Sequence, residues 1–140
     1  MKTKALLSAV LGCALLWAVS ADAQKETIQS DENGEITLTQ PTKVGDLTLQ
    51  PDAYVVQHHA TAGQDFIRFM KVKRERKLMV TRAYTGWYTD RELIKAGEVK
   101  CQVERLDEKA KATTLTVATE NGNSRITQVV IKGRPAVYVF

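Results

Sequence analysis

The chain beyond residue 34 alternates between apolar and polar positions with a period of two. Ile36 and Leu38 alternate with threonines, and Val99, Cys101 and Val103 alternate with polar residues. Such alternation is typical of half-buried strands, because successive side chains on a strand point to opposite faces. Residues 66–72 are apolar on both faces, which predicts a strand in the middle of a sheet or barrel wall.

Turn signals separate these segments at short intervals. Pro51-Asp52 and Gly133-Arg134-Pro135 break the alternation. Asn121-Gly122 is the strongest hairpin signal, since Asn and Gly readily adopt the positive φ angles of tight turns. The pattern predicts an all-β, mainly antiparallel domain, a small β-sandwich or barrel of about eight strands.

One short helix is predicted between the two halves of the chain. Thr89 and Glu92 have the spacing of a capping box, in which each side chain bonds the backbone amide of the other residue. Gly97 is a natural C-terminal stop. We therefore expect about two helical turns over residues 90–96.

The N-terminal residues have the pattern of an export signal. Two lysines precede an uncharged run, which ends at a small-x-small motif closing on Ala23. A lipidation signal at Cys13 is disfavoured, because the apolar run continues after that cysteine. The expected organisation is a signal peptide at 1–23, a flexible polar leader at 24–34 and a single β domain at 35–140. The predicted location is periplasmic or extracellular.

Charge and hydropathy narrow the function classes. The net charge is +4, and loss of Lys2, Lys4 and Asp22 with the signal would leave +3. This modest excess disfavours nucleic acid as a partner. No second apolar run reaches 18 residues, so no transmembrane helix is predicted in the mature chain.

The run VGDLTLQPDAYVV, residues 44–56, resembles a loose set of small exported bacterial β-domain proteins of unassigned function. In that set a strand beginning VG leads to L-P-x-G-x-Y-x-V. Pro51 and Tyr54 match, whereas Gln50 separates leucine from proline and Ala53 replaces the glycine. The resemblance implies the fold and no activity.

No catalytic residue, metal ligand or cofactor is predicted. His58 and His59 are the only histidines, and neighbours on a strand point to opposite faces, which disfavours a shared metal ion. No Gly-x-Ser-x-Gly motif is present. Cys101 lies on the apolar face of its strand, where a thiol is buried and its pKa raised.

A basic segment is the strongest charge feature of the chain. It could bind phosphate, anionic lipid headgroups or acidic polysaccharide, and the alternative is a solvated hairpin turn after the preceding strand. Its candidate residues are Lys71, Lys73, Arg74, Arg76 and Lys77.

An aromatic group follows the basic segment. It could stack on a sugar or contact a partner, and the alternative is packing against the predicted helix. Its candidate residues are Tyr84, Trp87 and Tyr88.

The sequence favours a non-enzymatic binding or envelope-associated module over an enzyme. The candidate partners are envelope polysaccharide, lipid headgroups or another exported protein. A small exported enzyme with a site assembled by the fold is the first alternative, and an outer-membrane β-barrel is the second. A cleft joining His58 or His59 to carboxylates would favour the enzyme, whereas a flat aromatic or basic face would favour binding.

Overall fold

Alternating segments become strands throughout the part of the chain that the computed structural model describes, residues 24–140. No helix occurs among these residues. The strands are β1 (Gln24–Gln29), β2 (Ile36–Thr37), β3 (Thr42–Val44), β4 (Leu47–Leu49), β5 (Ala53–Thr61), β6 (Gln64–Val80), β7 (Thr85–Arg105), β8 (Thr114–Glu120), β9 (Asn123–Val130) and β10 (Ala136–Val139).

The strands form one nearly closed, barrel-like sheet. Its order is β1-β8-β9-β10-β7-β6-β5-β2, and the small β3–β4 hairpin joins it beside β9. Among the strands of residues 24–140, only β3 and β9 pair in parallel. The prediction of a mainly antiparallel, all-β sandwich or barrel is therefore confirmed.

Alternate residues of most strands meet in one core. Ile36, Ile67, Phe69, Ile126 and Val129 are fully buried. Burial of such side chains drives folding, at about 1.5–3 kcal/mol for each large one. The remaining core residues are Leu38, Val44, Leu49, Tyr54, Val56, Cys101, Leu115, Val117, Ala136 and Tyr138.

The Asn121-Gly122 turn forms as predicted. Both residues have positive φ, 52° and 78°, and they join the paired residues Glu120 and Asn123 of β8 and β9. A two-residue loop of this conformation matches the twist of the strands it connects.

The number of strands differs from the expected eight for local reasons. Gly45 has a φ of 56°, and the turn at this residue divides the expected strand at 44–50 into β3 and β4. The segment at 24–34, expected as a flexible leader, contains β1, which pairs with β8 along all six of its residues. The expected signal peptide at 1–23 lies outside the described residues.

The helix predicted at 90–96 is wrong, because these residues belong to β7. Glu92 lies opposite Lys73 and Leu93 opposite Val72 in an antiparallel ladder with β6. An isolated two-turn helix is marginal in water. A continuous strand pairing therefore prevails over the local capping signal.

Gly97 allows close packing where β7 leaves the body of the sheet. The β6–β7 register shifts at this point, after Phe69, as in a β-bulge. A Cβ on Gly97 would lie 2.5 Å from Cδ2 of Leu47. A larger residue here would displace the Leu47 side chain of β4, and Gly97 does not end a helix.

Candidate functional site

The β6–β7 hairpin extends beyond the rest of the sheet. Pairing of β6 with β5 ends at Lys71, and pairing of β7 with β10 begins at Gln102. We call residues 73–92 the arm; its strands, 73–80 and 85–92, pair with each other across a turn at 81–84. No arm residue is buried. The arm is a two-stranded ribbon surrounded by solvent.

The predicted basic segment lies within strand β6. The alternative interpretation, that it is a solvated hairpin turn, is therefore wrong. The strand continues to Val80 because residues 72–80 pair in register with β7. All three lysines of the segment are paired with a carboxylate. The Nζ–O distances are 3.2 Å for Lys71–Asp52, 3.0 Å for Lys73–Glu75 and 2.7 Å for Lys77–Asp90.

These ion pairs reduce the free positive charge of the segment. A hydrogen bond from Lys73 to Glu75 raises the pKa of Lys73, and one to Asp90 raises the pKa of Lys77. Both lysines remain ammonium ions, and their fields are partly cancelled by neighbouring carboxylates. The five residues therefore do not form one uniform cationic surface.

Arg74 connects the base of the arm to a buried acid. Its Nη2 donates to Oε1 of Glu35 at 2.7 Å, and Nε of Arg91 donates to Oε2 of Glu35 at 3.0 Å. The Glu35 side chain is only 3% exposed. Arg74 and Arg91 lie directly opposite each other, an arrangement of like charges that is unfavourable unless an anion lies between them. The ion pair also raises the pKa of Arg74.

The three candidate aromatic residues lie on two faces of the arm. Trp87 is paired with Leu78, and the guanidinium of Arg76 lies 5.3 Å from the Trp87 ring centroid. Tyr88 points to the opposite face. The Tyr84 ring covers Gly86, whose absent Cβ would collide with the phenol, on that same opposite face. The residues therefore do not make the single stacking platform considered from the sequence.

Sequence reasoning missed the aliphatic part of the arm. Leu78, Met79 and Val80 are 51%, 42% and 68% exposed, and they precede the turn that contains Arg82. Their signal was an apolar triplet within residues 76–89, which contain three cations and no acid. Exposed apolar clusters of this kind mark interaction sites.

A second polar group lies at the other end of the long strands. Nε2 of His58 lies 2.8 Å from Oδ1 of Asp65, and the His58 ring stacks on Tyr138 at a centroid distance of 4.8 Å. Cys101 lies opposite Asp65 in the β6–β7 register. His59 follows on the opposite face of β5 and is exposed.

This group lacks the properties of a nucleophilic site. Cys101 is 7% exposed, which confirms its predicted burial, although Val103, expected beside it, is 41% exposed. Burial, assisted by the charge of Asp65, raises the pKa of the Cys101 thiol to about 11. A nucleophilic cysteine needs the opposite shift.

Cys101 should react slowly with a thiol reagent while the protein is folded. At pH 8 we expect labelling at least tenfold slower than in denaturant, because burial restricts access and holds the thiol protonated. The folded state binds this proton more tightly than the unfolded chain. The stabilising contribution of the protonated Cys101 thiol is therefore complete at neutral pH and is lost as pH rises toward 11. Denaturant titrations of wild type and Cys101→Ala, at neutral pH and near pH 11, measure that loss. Equal labelling rates for the folded and the denatured protein would contradict the burial of Cys101.

Two clefts in the described part of the chain lie away from both histidines. One, of about 440 Å³, lies between the turn at 30–34 and Lys111 and Lys132. Another, of about 290 Å³, lies around Asn123 and Arg125. Within residues 24–140 no group of three His, Cys, Asp or Glu residues could hold a metal ion. The His58–Asp65 pair thus lines neither of these clefts.

Comparison of the chain with protein-family models, with curated proteins and with solved structures finds no match in any of the three. Among the described residues, no helix is long and apolar enough to cross a membrane.

Proposed function

We propose that this protein is an exported, non-enzymatic binding module whose arm attaches it to a component of the cell envelope. The observation that carries the proposal is the exposed tip of the arm, residues 78–88. There Leu78, Val80 and Trp87 share one face of the ribbon, and Arg76 lies over the Trp87 ring. Export is inferred from the signal-like pattern of residues 1–23.

Physical reasons favour the arm as a binding element. A two-stranded ribbon is marginally stable in water, so its exposed apolar side chains are stabilised when a partner covers them. Trp, Tyr and Arg supply much of the binding energy at recognition surfaces. The arm contains all three types at positions where they contribute little to the core.

Truncation of the arm tests this proposal. Residues 75–90 are replaced by Asn-Gly, a two-residue turn that joins the paired residues Arg74 and Arg91 and keeps their contacts with Glu35. The truncated domain should fold with the stability of the intact one. Its binding to envelope fragments from the producing cells, measured by co-sedimentation, should be lost.

The controls separate binding from folding. Trp87→Ser in the intact arm should reduce binding at least tenfold without changing the unfolding transition. Exchange of the exposed body residue Lys109 for Gln should change neither. Undiminished binding of the truncated domain, or no binding by the intact one, would refute the proposal.

A further inference from the structure

The arm presents its side chains in layers of increasing distance from its turn. Leu78 and Trp87 form a cross-strand pair three residues behind Thr81. At about 3.4 Å per residue, this pair lies roughly 10 Å from the turn. Lys77 and Arg76 follow one and two positions farther back. An aliphatic and aromatic tip is thus followed by a cationic layer.

Both faces of the tip are apolar. Leu78, Val80 and Trp87 point to one face, and Met79 and Tyr88 point to the other, as the register requires. A flat partner could cover only one of these faces. A surrounding medium covers both, and it also covers the unpaired edges of the ribbon near the turn.

The outer part of the arm, which includes the tip and the cationic layer, has charges of one sign. Residues 76–89 include Arg76, Lys77 and Arg82 and no carboxylate. Lys77 is paired with Asp90, whereas Arg82, in the turn, has no ion-pair partner among residues 24–140. Arg76 lies over Trp87 and has no carboxylate within ion-pair distance in the same part of the chain. These two guanidiniums are available to bind phosphate oxygens.

We infer that the tip of the arm inserts into the headgroup region of an anionic phospholipid bilayer. This inference rests on the proposed function and names the partner. Trp and Tyr favour the membrane–water interface. The apolar side chains lie between the cationic layer and the turn, within roughly 10 Å of the turn, and this length matches the depth of interfacial insertion, roughly 5–10 Å. Arg76 and Arg82 bind lipid phosphates, and the flexible Arg82 side chain extends back to the headgroups.

Polysaccharide fits these observations less well. Stacking on a sugar requires an open aromatic face, but Tyr84 lies across Gly86 and Trp87 is covered in part by Arg76. The aliphatic triplet at 78–80 offers a sugar no hydrogen bond. Acyl chains, in contrast, provide an apolar environment for these residues.

The domain contains its own probe of insertion. Trp87 is the only tryptophan in residues 24–140, so its fluorescence reports on the tip alone. We measure it with vesicles of mixed phosphatidylglycerol and phosphatidylcholine, and with vesicles of phosphatidylcholine alone. The mixed vesicles should shift the emission to the blue, and nitroxide-labelled acyl chains should quench it. Co-sedimentation gives the affinity.

Two double variants separate the apolar and the cationic contributions. Leu78→Gln with Val80→Gln should abolish the blue shift. Arg76→Gln with Arg82→Gln should lower the affinity for mixed vesicles about 30-fold, since each cation near an anionic membrane contributes about fivefold. Lys109→Gln with Lys111→Gln removes the same charge from the body and should leave both readouts unchanged.

The outcomes of these experiments test the bilayer inference separately from the proposed envelope-binding function. Binding to envelope fragments through the arm, without binding to mixed vesicles, would overturn the bilayer inference and leave the proposed function standing. Vesicle binding with no blue shift, abolished by salt and retained in the Leu78/Val80 variant, would also overturn insertion. Loss of all binding by the intact domain would refute both.

Discussion

Phe69→Ala should lower the free energy of unfolding by about 4 kcal/mol, the usual cost of truncating a fully buried phenylalanine. Phe69 is 0% exposed and is paired with Val56 on one side and Gly97 on the other. It lies at the register shift, where β6 passes from the body toward the arm. Truncation would therefore open a cavity where β5, β6 and β7 lie side by side. Equilibrium denaturation measures the loss.

Phe66→Ala is the matched control for this substitution. Phe66 lies on the same strand three residues earlier, is half-buried, and points to the other face. Its truncation removes the same atoms without opening a core cavity, so we expect less than half the destabilisation. Equal losses from the two variants would contradict the inward and outward assignment of β6.

Glu35→Gln should both destabilise the domain and loosen the arm. The carboxylate accepts hydrogen bonds from Arg74 and Arg91, and its loss leaves two guanidiniums opposite each other with no anion between them. Hydrogen bonds to charged groups contribute about 2 kcal/mol each. We expect the free energy of unfolding to fall by about 2 kcal/mol in total, the value of one such bond, because water hydrates the two guanidiniums once the carboxylate is lost. Hydrogen exchange should accelerate in residues 73–92 more than in the body.

The specificity of this anchor is tested by two further variants. Glu32→Gln removes an exposed acid from the same turn and should have little effect. Adding Arg91→Gln to Glu35→Gln should cost less than the sum of the single changes, since one arginine no longer repels the other. Strict additivity, or an arm whose exchange is unchanged in Glu35→Gln, would show that Glu35 does not hold the arm.

Local patterns predicted much of the body of the sheet. Alternation identified the strands around Ile36, Ile126 and Tyr138, and the Asn121-Gly122 hairpin followed from the backbone preferences of two residues. These features depend on neighbours in sequence, so a single chain contains the information. Burial of Cys101 followed from the same alternation.

The arm illustrates why local patterns failed elsewhere. The capping box at Thr89 and Glu92 is a genuine helix signal. The charge of the segment after Val72 indicates exposure to solvent, which is compatible with a turn and with an exposed strand. Neither pattern records that residues 72–80 and 85–93 can pair continuously. That pairing places the aromatic candidates and all basic candidates except Lys71 on the arm, and it distributes the aromatic residues over two faces.

The sequence by itself therefore determined the strand class, the main turns and the inward position of Cys101, because side-chain alternation and turn conformation are local properties. Only the tertiary structure decided the length of the arm, the exposure of its tip, and its anchor. Glu35 is 39 residues from Arg74 and 56 from Arg91. No spacing along the chain predicts that contact, since it depends on the pairing of β2 with β5, which in turn pairs with β6.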